Sequence, residues 1–251
     1  MIRGPVVVGR RPVVEAIRAG LAREVLVAEG ASNQGLGAVL DAARAAAVPV
    51  TRVPVEEIKS LAAGTPHQRV AARVAQPGTL GEGDLAARSW AEDAVAVILD
   101  GVTDPHNLGA VARTAEAAGA AVLITRRHRA AGLTPAAVKA SAGALLRLPV
   151  AHVANITRAV ERLKESGFWA VGLDGGAPET LDRAERPPGR LALILGAEGQ
   201  GMSRLVRESC DQLLAIPMRG EVASLNVSVA AGVALFAFAL PGGAPGAEKQ
   251  G

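Results

Sequence analysis

Five polar residues stand out in three stretches that lead from apolar strands into apolar helices: Asn107, Arg113, Glu198, Ser224 and Asn226. Ser224 and Asn226 are uncharged hydrogen-bonding groups immediately before the apolar run 227–240, where such residues commonly cap a helix. Glu198 is a carboxylate inside Gly196-Ala-Glu-Gly-Gln-Gly201, where an ordinary turn accounts for the glycines but not for the acid. Asn107 follows Asp104-Pro-His and also stands where a cap could stand. Arg113 lies six residues further on, among Ala, Val, Leu and Thr. A lone cation on so apolar a helix calls for an anionic partner. That partner is either a carboxylate in a structural ion pair or a phosphate, whose oxygens match the forked donors of guanidinium. The set suits chemistry by positioning and electrostatics. The glycine spacing is G-x-x-G-x-G, not the dinucleotide G-x-G-x-x-G, and no G-x-x-x-x-G-K-S/T occurs. The four histidines have no metal-ligand spacing, and no metal is expected.

Each of the three stretches runs from an apolar strand through a polar or Gly-rich loop into a helix. From Ala94 onward this pattern repeats, predicting strands near 95–100, 120–125, 147–153, 168–173, 191–195 and 213–217. Helices are predicted near 108–118, 135–143, 155–166, 203–211 and 226–239, with Asn155 and Ser203 as N-caps and Gly119 and Gly167 as stops. Apolar strands joined by helices imply an α/β fold with a largely parallel sheet covered on both faces. The last helix is apolar almost all round, so most of it should be buried. Residues 1–75 alternate short strands and helices separately: strands at 6–8, 24–28, 48–53 and 69–74, with helices opening near Pro12, Asn33 and Pro54. Residues 76–93 are poor in apolar periodicity, hold Pro77, Gly78, Gly81 and Gly83, and read as a linker. The expected organisation is a small α/β domain over 1–75, a linker over 76–93, a larger domain over 94–241 and a flexible tail over 242–251.

The three stretches, in this order, resemble the three motifs of the SpoU family of RNA ribose 2′-O-methyltransferases, within the SPOUT superfamily. Asn107 and Arg113 match the first motif, Glu198 the second, and Ser224 and Asn226 the third. The resemblance implies S-adenosylmethionine as cofactor, with Gly172, Leu173, Gly196, Ile216, Met218 and Leu225 as its contacts. It implies a deep trefoil knot in the C-terminal domain and a homodimer. Arg113 would grip the phosphate beside the target ribose; a base role, sometimes proposed in the family, stays open against a free pKa above about 12. His106 invites a general-base reading, but the family varies there. Residues 1–75 resemble the RNA-binding domain found in one branch of the family, on the Gly9…Val14-Glu-Ala-Ile17 opening and the His67-Gln68 pair. Arg69 departs from that pattern, where a glycine is usual. This two-domain layout implies RNA as partner, with a guanosine of 23S ribosomal RNA as the target.

The bulk composition agrees with an RNA partner. Hydrophobic residues make up 49 % and charged ones 20 %, enough for buried cores and against global disorder. The +3 charge is uneven: residues 1–75 hold ten Lys/Arg against six Asp/Glu, and the rest seventeen against eighteen. The excess fits either an anionic partner at the N-terminal part or a merely soluble basic surface. The basic loop Thr125-Arg-Arg-His-Arg129 beside the first motif is either solvated charge or a guide for an RNA backbone. One cysteine, Cys210, and no apolar run of about 20 residues give the expectation of a cytoplasmic protein without a membrane span. The competing readings are a tRNA or antibiotic-resistance rRNA methyltransferase and a non-catalytic RNA-binding assembly protein. A nicotinamide oxidoreductase lacks its fingerprint.

Overall fold

A computed structural model describes residues 5–32, 35–75, 80–127, 133–222 and 224–238. The expected tail, Asn33 as a cap, Pro77 and Gly78 of the linker, and His128 and Arg129 of the basic loop lie outside the described residues.

The chain builds two sheets, each with its own core. The first has strands β1 (Val6–Val8), β2 (Ala22–Ala28), β3 (Val50–Val53) and β4 (Val70–Val74) in the order β1-β4-β2-β3. β4 runs antiparallel to β1 and β2, whereas β2 and β3 are parallel. Helices α1 (Arg10–Arg18), α2 (Gly37–Ala45) and α3 (Val55–Ala62) cover it. The apolar stripes Val13-Ala16-Ile17 and Val39-Ala43 are buried on it.

Residues 80–93 are not a bare linker. They hold helix α4 (Glu82–Ala87) and enter the second body. Leu80 bridges Ala151, Leu85 is fully buried, and Trp90 packs edge-on against Phe168 at 5.3 Å. The Glu82 carboxylate accepts the backbone N–H groups of Ala154 (2.7 Å) and Asn155 (3.0 Å) and pairs with Arg158 (3.1 Å). The Asn155 N–H, then that of Ala154, and the Arg158 and Arg127 charges hold this carboxyl below its ordinary range, against the opposing effect of burial.

The second sheet has six parallel strands: β5 (Val95–Asp100), β6 (Val122–Arg126), β7 (Val150–Val153), β8 (Phe168–Leu173), β9 (Arg190–Gly196) and β10 (Gln212–Leu214). Their order is β10-β8-β9-β5-β6-β7. Alternation along β5 divides two cores. Val95, Val97 and Leu99 face α5 (Pro105–Ala117), α6 (Pro135–Ala140) and α9 (Val227–Phe238). Ala96 and Ile98 face α4, α7 (Ile156–Glu165) and α8 (Arg204–Ser209). The sheet is thus covered on both faces, as the buried strands require.

Local chemistry sets the helix ends. Asn155 accepts the Arg158 N–H at 3.1 Å as the cap of α7, whereas Ser203 makes no side-chain cap. Gly119 and Gly167 end α5 and α7 at φ 76° and 83°. The helix expected over 135–143 stops at Ala140 and continues as a 3-10 turn at Ala144–Leu146; the strand expected from 213 to 217 ends at Leu214. The helix α9 corrects a further expectation. Its Ala231, Ala234, Leu235 and Phe238 are buried, but Val229, Val233 and Phe236 are 51 %, 43 % and 49 % exposed. Among the described residues, no helix is long and apolar enough to cross a membrane.

Candidate active site

Connections leave β5 toward β6 and β7, then return across the sheet to β8, with β9 inserted between β8 and β5. The strand order therefore reverses between β9 and β5, whose last paired residues are Gly196 and Asp100. In open α/β sheets ligands bind at the carboxyl ends of strands at such a switch point. The first two motifs begin there.

After β9 the chain folds back on itself: Ala197 and Gly201 form an antiparallel bridge, with the Gly201 N–H donating to the Ala197 carbonyl at 2.8 Å. The return is so close that a Cβ on Gly196 would lie 2.0 Å from the Gly201 carbonyl carbon and 2.1 Å from the Met202 nitrogen. Only glycine fits. Gly199 and Gly201 take left-handed φ of 75° and 68° in the same turn. Asp100, buried at the end of β5, fixes the exit by accepting the Ser203 N–H at 2.8 Å, and pairs with Arg126 at 3.0 Å.

This turn presents Glu198 to two amides. Its Oε1 accepts Asn107 Nδ2 at 3.0 Å, Asn226 Nδ2 at 2.5 Å and the Val227 N–H at 3.4 Å. Asn226 Nδ2 also donates to Asn107 Oδ1 at 2.9 Å. An ionised carboxylate only accepts, so both amides turn their NH₂ groups toward it and their orientations are fixed. Asn107 is not the cap of α5; Asp104 is, accepting the His106 N–H at 2.9 Å, with Pro105 in the first turn. Asn226 is a cap and more. Its Oδ1 accepts the Ser228 N–H at 2.9 Å while its Nδ2 reaches Glu198.

Beside this cluster lies a cavity of about 470 Å³. Leu173, Leu195, Leu214 and Ile216 line it, with Gly196, Glu198, Met218, Ser224 and Leu225. Five of the six expected cofactor contacts are thus on its wall. Gly172 is not. A Cβ there would lie 2.8 Å from Cys210 Sγ and from Met202 Cε, so it faces the packing on the other side of β8. Asp174, just past β8, also lines the cavity, paired with Arg207 at 2.7 Å; together with Leu195 and Leu214 it was not anticipated. The signal was available, since all three are at or beyond the carboxyl ends of strands. His106 is exposed and lies outside the cluster. Burial, reinforced by Asp211, pushes the Cys210 thiol up to about 11, away from the thiolate form that a nucleophile needs.

Arg113 does not join the cluster. It is exposed on α5 and has no ion-pair or hydrogen-bond partner among the described residues. Six residues at about 100° each put it roughly 240° round the helix from Asn107. A structural salt bridge is therefore not its role here. Of the basic loop, Arg126 is committed to Asp100.

Residues 94–236 match the SpoU rRNA Methylase family, and residues 6–80 match the RNA 2′-O ribose methyltransferase substrate binding family. The 23S rRNA (guanosine-2′-O-)-methyltransferase RlmB of Haemophilus influenzae is 43 % identical over 215 residues, covering 85 % of this chain and 87 % of that protein. A putative TrmH family tRNA/rRNA methyltransferase of Staphylococcus haemolyticus is 40 % identical, covering 92 % and 93 %. Among solved structures, the SpoU methyltransferase AviRb from Streptomyces viridochromogenes in complex with AdoMet superposes with a TM-score of 0.72 at 28 % identity, covering 92 % and 87 % of the two chains.

Proposed function

The chain belongs to the SpoU rRNA Methylase family, and from that premise we propose that it transfers a methyl group from S-adenosylmethionine to a ribose 2′-hydroxyl of RNA, a guanosine of 23S ribosomal RNA. The observation that carries this is the Asn107–Glu198–Asn226 cluster at the rim of the cavity beside the switch point. The cavity suits the cofactor: its volume is in the range of small-molecule sites, its floor of Leu173, Leu195, Leu214 and Ile216 is apolar, and the Asp174 and Glu198 carboxylates suit a cationic sulfonium. When bound, the cofactor supplies an activated methyl with its own leaving group.

The residues of the chain supply position. Leu173, Gly196, Ile216, Met218 and Leu225 enclose the cofactor. Glu198 holds the Asn107 and Asn226 amides rigid, and with Ser224 they orient the ribose, so that alignment costs little when the reaction occurs. Arg113, free of protein partners among the described residues, is left to grip a phosphate. The N-terminal sheet binds RNA, and the knotted C-terminal domain of the family is expected here over 94–241. The exposed Val229-Val233-Phe236 stripe supports a homodimer through α9.

The test is incubation with labelled adenosylmethionine and unmodified total RNA, followed by mapping of the labelled ribose. Label on a guanosine 2′-oxygen of 23S rRNA is expected. Label in tRNA alone would remove the ribosomal assignment, and no transfer to any RNA would overturn the enzymatic one. In sedimentation at micromolar concentration, a lone 25.4 kDa species would remove the dimer.

A further inference from the structure

The two bodies touch through α6. Val138 and Leu146, from the second body, are buried in the core of the first, against residues such as Val7 and Val8 of β1. Two concavities flank this contact and share Pro66 and Lys139 in their walls. One holds Gly9, Arg10, Arg11 and Gln68; the other runs past Gly64 and Thr65 to His106, the residue before Asn107. No carboxylate lines either one, while Arg10, Arg11 and Lys139 do. All three are exposed, and none has an ion pair among the described residues. Some exposed cations, Arg44, Arg162 and Arg204 among them, sit against carboxylates of their own, whereas others, such as Arg18, Arg23 and Arg113, share the unpaired state but line neither concavity.

Resting on the methyltransferase reading, we propose that this seam is a track for the backbone of one RNA strand, carrying it from the N-terminal sheet to Asn107 of the same protomer. Arg10 and Arg11 grip the strand from α1 and Lys139 grips it from α6, so a single segment of RNA is held by both bodies at once. Unpaired cations at a concave seam without carboxylates suit a polyanion, and each phosphate neutralised releases counterions. The open end beside His106 delivers the strand to the motif-one side of the cluster.

The test uses the full chain and an unmethylated 23S rRNA transcript. Arg11→Gln and Lys139→Gln are each expected to weaken RNA binding about tenfold at low salt and to reduce the salt slope by roughly 0.7. The loss should appear in KM for RNA, with adenosylmethionine affinity and melting temperature unchanged. Arg162→Gln is the control, because α7 lies on the opposite face of the second sheet and Arg162 pairs with Glu165. It should change RNA binding by less than about twofold. Seam variants that behave like this control would overturn the track. If Arg11→Gln weakens binding and Lys139→Gln does not, RNA stays on the first body and the track is also wrong. Failure of the methyltransferase reading shows separately, as a wild-type protein that transfers no methyl group.

Discussion

Two loops meet the same backbone demand with different residues. The turn after β9 needs a left-handed or closely approached backbone at Gly196, Gly199 and Gly201, and glycine stands at all three. The loop before β4 also turns left-handed, at Gln68 (φ 49°) and Arg69 (φ 62°), with no glycine at either. Ties elsewhere hold it: Gln68 Oε1 accepts the Arg10 N–H at 3.0 Å, His67 Nδ1 accepts the Arg69 N–H at 3.1 Å, and the Arg69 guanidinium donates to the Gly30 carbonyl at 3.2 Å. The difference lies in what surrounds the backbone. Around Gly196 the obstacle is other main chain, which cannot move aside; around Arg69 the cost is only conformational, on the order of 1–2 kcal/mol, and outward-facing side chains remain free to differ.

The sharpest way to break the comparison is Gly196→Ala. Overlap with the Gly201–Met202 backbone should cost at least about 3 kcal/mol, shown by urea denaturation, and calorimetry should find no adenosylmethionine binding. A stable, cofactor-binding variant would mean that the turn is as tolerant as the N-terminal loop. Next in size is Arg113→Ala, expected to lose about a hundredfold in single-turnover methyl transfer with stability within about 0.5 kcal/mol of wild type. Arg113→Lys should retain part of the activity and bind RNA more weakly. A large drop in melting temperature would show a structural partner and remove the phosphate role.

Glu82→Gln tests whether side-chain ties, rather than main-chain contact, hold the segment between the bodies. The folded carboxyl is depressed, so its stabilisation is present above the ordinary carboxylate pKa and lost as pH falls through the folded value. The variant should therefore lose roughly 1–2 kcal/mol at pH 7 and converge on wild type in strong acid. A difference that does not shrink on acidification would contradict this. Smallest is Arg69→Gly, which should raise stability by up to about 1 kcal/mol, the released strain being offset by lost chain entropy and the lost bond to Gly30. A loss above 1 kcal/mol would mean that the arginine holds the loop more than it strains it.

Strands of the second sheet were readable because they are buried on both faces; every residue of Val95–Asp100 is inside. The helix α4 was not, because its apolar anchors Leu80, Leu85 and Trp90 follow neither the helix nor the strand period and meet partners such as Ala151 and Phe168 far along the chain. Gly172 is the one expected contact off the cavity wall, and alternation accounts for it: Leu173 faces the cavity, so its neighbour faces away. Asn107, Glu198 and Asn226 are separated by 91 and 28 residues, and only the family resemblance placed them together. Reading Asn226 as either a cap or a site residue was a false choice, since its two side-chain atoms do different jobs.

That division of labour bears on how such a protein ages under mutation. A lineage that stopped methylating would still need the start of α9, so selection for folding alone would keep a capping residue at 226, as asparagine or as Ser, Thr or Asp. Gly196 would persist for the same reason. Arg113 has no such second employer: it makes no hydrogen bond or ion pair among the described residues, so folding alone does not hold it in place. Among descendants of this chain, the first motif residue to drift once catalysis is abandoned should be that arginine, which makes it the position to read when asking whether a relative still works.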